Sequence, residues 1–213
     1  MAISGCALTG FVVAHMLGNL QFFLGAEQIN AYGHFLQSTP ELLWPARIGL
    51  LVLFVLHVWA AATLSAENKA ARPVEYGDQK LVAASYASRT MLMSGLILAA
   101  FIIYHLLHFT VQAPSINLTG KSFAALQDAK GRHDVFRMMV TGFSHPVVSL
   151  FYLIAMALLS LHLSHGLQSM FQSLGLRNRK YAPVLEKAAK AAALLLFLGY
   201  SSIPLAILAG LVK

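Results

Sequence analysis

Five apolar runs, each long enough to cross a lipid bilayer, divide this chain at approximately 3–24, 45–66, 88–112, 146–172 and 189–212. A hydrocarbon layer of about 30 Å takes roughly 20 helical residues to span. Inside it every backbone N–H and C=O must be satisfied within a helix or a closed barrel. The runs mix Leu, Ile, Val, Ala and Phe and lack the alternation of barrel strands, so they predict an all-α membrane protein with five transmembrane helices. Composition agrees: 58% of the 213 residues are hydrophobic and 11% charged, against roughly 25% charged in an ordinary soluble domain. The runs leave no room for a second domain, so 1–213 is expected to form a single one.

The first run differs from a signal peptide. It has no basic leading segment, and it carries His15, Asn19 and Gln21 where a plain apolar stretch and a small-residue cleavage site would stand. It is expected to be a retained helix. The single cysteine, Cys6, has no internal disulfide partner and reads as a small apolar residue.

The formal charge of +7 needs no nucleic acid once its distribution is traced. Lys69, Arg72, Lys80, Arg89, Arg177, Arg179, Lys180, Lys187 and Lys190 fall in the second and fourth connections. Arg47, Lys121, Lys130, Arg132, Arg137 and Lys213 fall on the other side. The excess of basic residues marks the cytoplasmic face. It therefore predicts a cytoplasmic amino terminus and an outside carboxyl terminus. Between the spans, "ENKAARPVEYGDQK" reads as a polar loop broken by Pro73 and Gly77. In the long 113–144 connection, "KSFAALQDAK" has helical spacing and predicts a short interfacial helix over 121–130.

The strongest functional signal is the histidines. There are nine, and ionisable groups inside a bilayer are costly and mark functional sites. His15, His57, His105 with His108, and His162 with His165 lie well inside four of the five runs. His15 is ten residues before Gly25, His57 ten before Glu67, His105 nine before Pro114 and His162 eleven before Ser173. Successive helices run in opposite directions, so His15 and His105 fall at one depth and His57 and His162 at another. Two pairs at two depths suit two flat cofactors, each clamped from both faces. Imidazole is a standard axial ligand of haem iron, and helix bundles hold such cofactors between facing side chains. Gly10, Gly18 and Gly95 offer small surfaces nearby. Di-iron sites in bundles recruit Glu as well as His, and transporters place broken helices at the midplane. Neither pattern is present in these runs. Depth favours His105 over His108 as a ligand; for His162 over His165 the same reasoning is weaker. His34, His133 and His145 read as interfacial.

The chain resembles the five-helix, dihaem cytochrome b anchor subunit of succinate dehydrogenase and fumarate reductase complexes. The resemblance is carried by "TGFVVAHMLGNLQFF", "INAYGHFLQ", "LFVLHVWAA", "ASRTMLMSGLI", "YHLLHF" and "LHLSHGLQSMFQSLG". It implies two b haems, a distal one on His15 and His105 and a proximal one on His57 and His162. It also implies a flavoprotein subunit, an iron-sulfur subunit, a quinone such as menaquinone, and a bacterial cytoplasmic membrane, with room for a higher oligomer. Respiratory complex II, which oxidises succinate in the tricarboxylic acid cycle, is the assembly so implied. The dicarboxylate site would lie on the flavoprotein, leaving electron transfer and anchoring to this chain. Some dihaem fumarate reductases have an acidic residue two positions before the last haem histidine, and here that position is Ser160. The departure favours succinate oxidation with menaquinone over a quinol:fumarate reductase. The cytochrome b subunit of another membrane oxidoreductase, such as nitrate reductase or hydrogenase, is the other alternative.

Further candidates are polar groups close to these ligands. Arg89 could pair a haem propionate through charge-assisted hydrogen bonds or serve as a cytoplasmic anchor. His108 could contact a propionate or a quinone. Asn19, Gln21, Asn30 and Tyr32 cluster near the outer end of the first helix as candidate quinone contacts.

Overall fold

The computed structural model describes residues 1–71 and 89–212. The loop around Pro73 and Gly77, with Arg72, Lys80 and the expected start of the third span at 88, lies outside the described residues. Seven α-helices are described: α1 Ala2–Leu20, α2 Ala26–Gln37, α3 Pro40–Ala70, α4 Met91–His105, α5 Val135–Phe143, α6 Pro146–Ser173 and α7 Ala182–Leu208. A 3-10 turn, Gln21–Leu24, extends α1, and a π turn, Leu106–Thr110, extends α4. With these extensions, α1, α3, α4, α6 and α7 are the five helices long and apolar enough to cross a membrane.

The bounds have local causes. Pro40 and Pro146 sit in the first turns of α3 and α6, where a missing N–H breaks no helical bond. The fifth span starts at Ala182, ahead of the expected 189, because the Asn178 side chain accepts from the N–H groups of Lys180 and Tyr181 and Pro183 fits the first turn. It stops at Leu208, short of 212. Gly210 there has φ 69°, and the N–H groups of Gly210 and Leu211 turn back to Ile207 and Ala206, a Schellman ending.

Residues 121–130 form no helix. The Asn117 carbonyl oxygen accepts from Thr119, its amide donates to the Lys121 carbonyl, and the Asp128 carboxylate accepts from the N–H groups of Lys130 and Arg132. Such side-chain bonds compete with the helical ladder. The segment folds instead as turns closed by an isolated bridge between Gln127 and His133, with Phe123 buried.

Two helices too short to span, α2 and α5, pack together at the end of the bundle where α1 finishes. Gly33 allows this approach, since a Cβ there would meet Val135 Cγ2 at 2.8 Å. Asn30, 2% exposed, joins them: its amide donates to Asp134 Oδ1 and its carbonyl oxygen accepts from Phe136 N. Asp134 in turn caps α5 by accepting from Arg137 N. Beneath them lies an aromatic core of Phe22, Phe101, Phe143 and Tyr152.

The fifth span is packed into the assembly. α7 shares its longest interface with α6 and also touches α1. Tyr200 donates to the Val12 carbonyl at 2.7 Å and Ser160 to the Ala193 carbonyl at 3.0 Å, polar links of the kind that join helices where water is absent. α3 has no buried residue. Its Leu51, Val55 and Trp59 are exposed and suit contact with lipid tails.

Candidate functional site

The bundle brings the intramembrane histidines together across helices, in the pairs expected from depth. His15 on α1 faces His105 on α4, with ring centroids 5.8 Å apart. His57 on α3 faces His162 on α6, with centroids 6.5 Å apart. Their levels follow from their neighbours. Ser4 on α1 and Ser94 on α4 touch His57 and His162 respectively, while Tyr152 on α6 touches His105. Counting along α1, α4 or α6 from one level to the other gives ten or eleven residues, or about 15 Å at 1.5 Å per residue.

These separations suit one iron between two imidazoles. With each metal–nitrogen bond about 2 Å long, as for other imidazole-bound metals, opposed rings have centres about 6 to 6.5 Å apart. Both pairs have centroid separations close to that value. Among the described residues no group of three or more His, Cys, Asp or Glu could hold a bare ion. Two imidazoles suffice where a macrocycle supplies the other ligands.

The surroundings of each ring are specific. His57 Nδ1 is 3.2 Å from Ser4 Oγ, and its ring lies along Gly5, where a Cβ would stand 3.4 Å from Cε1. His162 Nδ1 is 3.4 Å from Ser94 Oγ, and its ring lies along Gly95 in the same way, at 3.5 Å. His105 Nδ1 is 3.3 Å from the Tyr152 hydroxyl. His15 stacks on Phe11 and lies near Tyr200. Of the small residues thought to leave space, Gly10 has nothing within 4 Å of a built Cβ. Gly18 instead receives Tyr32, whose hydroxyl would be 2.8 Å from a Cβ there.

The other candidates are more dispersed. His108 lies in the π turn, fully buried among Tyr104, Phe109, Phe123 and Tyr152, with Nδ1 3.0 Å from the Tyr152 hydroxyl. π turns recur at functional sites. His165 turns to Ser169. Asn19 donates to the His15 carbonyl, Gln21 accepts from Gln28, and Asn30 is engaged by Asp134 and Phe136. Asn30 thus has a structural task that its sequence neighbourhood did not signal. Arg89 lies two residues before the start of α4 and five before Ser94.

Sequence reasoning missed a charged clamp outside the spans. Glu27 on α2 takes Lys130 at 2.7 Å and Arg132 at 2.9 Å, and Arg132 also reaches Asp128 at 2.7 Å. Hydrogen bonds from Arg132 and Lys130 hold the Glu27 carboxyl below its ordinary range. Burial pushes Asp128 upward, but hydrogen bonds from the Arg132 side chain and backbone outweigh it and lower Asp128 to about 2. The only sequence signal was charge in a connection whose fold was misread as helical.

The chain matches the family model described as Succinate dehydrogenase/Fumarate reductase transmembrane subunit over residues 76–200. It belongs to that family. The matched segment takes in Arg89, His105, His108 and His162, while His15 and His57 precede it. The family describes a membrane-anchor subunit of succinate dehydrogenase or fumarate reductase complexes, associated with their catalytic subunits, and its members generally bind b haems. The five spans accord with a multi-pass membrane subunit. No curated protein and no solved structure matches the chain.

Proposed function

We propose that this anchor carries two b haems, one between His15 and His105 and one between His57 and His162, and passes electrons between an iron-sulfur subunit and a quinone. The observation that carries this reading is the pair of cross-helix imidazole sets, 5.8 and 6.5 Å between ring centres, stacked about 15 Å apart along the helices. Each haem supplies a one-electron carrier. The chain holds each from opposite helices, fixes the rings by hydrogen bonds to the hydroxyls of Ser4, Ser94 and Tyr152, and surrounds the His15 and His105 end with aromatic side chains that exclude water.

The charge distribution supports a cytoplasmic amino terminus. His57 and His162 are then the proximal pair, nearer the flavoprotein and iron-sulfur subunits, in a bacterial cytoplasmic membrane. Arg89 is our candidate for a propionate of that haem. Asn19, Gln21 and Tyr32 are candidates for the quinone, menaquinone in our reading, at the opposite end. Ser160 favours succinate oxidation: its hydroxyl is bonded to the Ala193 carbonyl and, unlike a carboxyl, exchanges no proton near neutral pH.

Pyridine haemochrome assay of the purified complex tests the reading, with about two haems b expected per chain. His57→Ala is expected to lose the proximal haem and His105→Ala the distal one. One haem or none in the unmodified complex overturns the proposal. Loss of a haem in His108→Ala with retention of both in His105→Ala overturns the ligand choice.

A further inference from the structure

An imidazole can ligate a metal through Nε2 only if Nε2 is free of hydrogen, which in a neutral ring places the proton on Nδ1. Metal-bound histidines characteristically donate that second N–H to a fixed acceptor. Three of the four paired histidines turn Nδ1 toward a hydroxyl, and in each case the proton of the hydroxyl has another destination.

Ser4 Oγ donates to the Met1 carbonyl at 3.0 Å while lying 3.2 Å from His57 Nδ1. A hydroxyl has one proton, so toward His57 the oxygen acts as acceptor and His57 Nδ1 carries the hydrogen. Ser94 repeats the arrangement, donating to the Met91 carbonyl at 3.1 Å and lying 3.4 Å from His162 Nδ1. Tyr152 lies between two imidazoles, 3.3 Å from His105 Nδ1 and 3.0 Å from His108 Nδ1. Its one proton can serve only one of them. If it goes to His108, then His105 Nδ1–H donates to the phenol oxygen and His105 Nε2 is free. The opposite direction would put the hydrogen on His105 Nε2 and block ligation. His108 Nε2 is buried without a hydrogen-bond partner in either direction, so that nitrogen does not choose between them; ligation by His105 requires the first.

On these hydrogen-bond directions we infer that Ser4, Ser94 and Tyr152, the last backed by His108, are positioning residues that fix His57, His162 and His105 in the form with Nε2 free for a metal. The inference depends on the two-haem reading above. It gives His108 a task that depth and spacing alone did not: it is the acceptor that draws the Tyr152 proton away from the ligand. A ligand that donates its second N–H is held in one orientation and made more basic, and loss of such a partner typically weakens metal affinity about 10- to 100-fold.

The test uses the purified complex, transfer of each haem to a scavenger protein, the low-spin electron paramagnetic signal of each haem, and redox titration. Tyr152→Phe keeps the ring and removes the hydroxyl. It is expected to weaken retention of the His15/His105 haem about 10- to 100-fold and to move its signal and midpoint potential, leaving the other haem unchanged. Ser4→Ala is expected to do the reverse, and Ser4→Thr, which keeps the hydroxyl, to restore unmodified behaviour. His108→Gln retains an acceptor for the phenol proton and is expected to resemble the unmodified complex, whereas His108→Leu follows Tyr152→Phe. Two haems held in the Tyr152→Phe and Ser4→Ala complexes with unmodified affinity, signal and potential overturn the inference. An unmodified complex without haem overturns the reading beneath it instead.

Discussion

Replacing Asn30 distinguishes a quinone contact from a structural clasp. The residue is 2% exposed; its amide donates to Asp134 Oδ1 at 3.1 Å and its carbonyl oxygen accepts from Phe136 N at 2.9 Å. Asn30→Ala deletes both bonds and leaves a main-chain N–H of α5 without its partner. A hydrogen bond to a charged group contributes about 1.5–3 kcal/mol, and stranding a buried donor costs about 1–3 kcal/mol. Together these give a loss of about 2.5–6 kcal/mol. For a chain of this size, where 1 kcal/mol moves the melting temperature by about 2–4 °C, that corresponds to a fall of about 5–24 °C. Asn30→Asp keeps an acceptor for Phe136 but brings a second carboxylate against Asp134, so it is expected to fall further. The assay is thermal unfolding of the purified complex beside steady-state kinetics with a soluble quinone. A complex that melts with the unmodified protein yet shows a raised KM for quinone would refute the clasp and restore Asn30 to the quinone site.

The charged clamp gives a pH dependence. Asp128 stands at about 2 in the folded chain against an ordinary 3.8, and Glu27 is also lowered. Their stabilising contribution is therefore complete above the ordinary carboxyl range and fades as pH falls from about 4 toward 2. Arg132→Met is expected to flatten the slope of melting temperature against pH on the acid side, and an unchanged slope counts against the clamp. Gly18→Ala tests whose space that glycine keeps. Its Cβ would press on the Tyr32 hydroxyl at 2.8 Å and on its ring at 3.0 to 3.1 Å, so a loss of about 1–3 kcal/mol from overpacking is expected with haem content unchanged; haem loss at unchanged stability would return that space to the cofactor.

What the sequence made legible were features with a long period or a high cost. A span of roughly 20 apolar residues has few alternatives, and a buried ionisable group is rare enough that depth alone paired His15 with His105 and His57 with His162. The connections were less legible because their structure comes from single polar side chains. Asn117 and Asp128 turned an expected helix over 121–130 into turns. α2 and α5 are too short to declare themselves by periodicity and exist through mutual packing at Gly33 and Asn30. The serine and tyrosine partners of the histidines were invisible for a related reason. Ser4, Ser94 and Tyr152 are ordinary residues of apolar helices until the bundle sets them beside a ring on another helix.

The two ends of the bundle solve the same problem with different materials. At the level of His15 and His105, α2, α5 and the 113–134 connection cap the spans. An aromatic core of Phe22, Phe101, Phe143 and Tyr152 fills the space, and the Tyr152 phenol lies between His105 and His108. At the level of His57 and His162, α3 offers no buried residue, and the groups beside the rings are two serines bonded to their own helices. A serine that back-bonds to a carbonyl three residues earlier is positioned by helix geometry alone, so it needs no surrounding core. Tyr152 has no such local anchor. Its direction depends on His108, and His108 depends on the packing of Phe109, Phe123 and the π turn around it. The capped end runs a hydrogen-bond chain between helices inside an aromatic core, whereas the end at the basic connections uses serines held by their own helices.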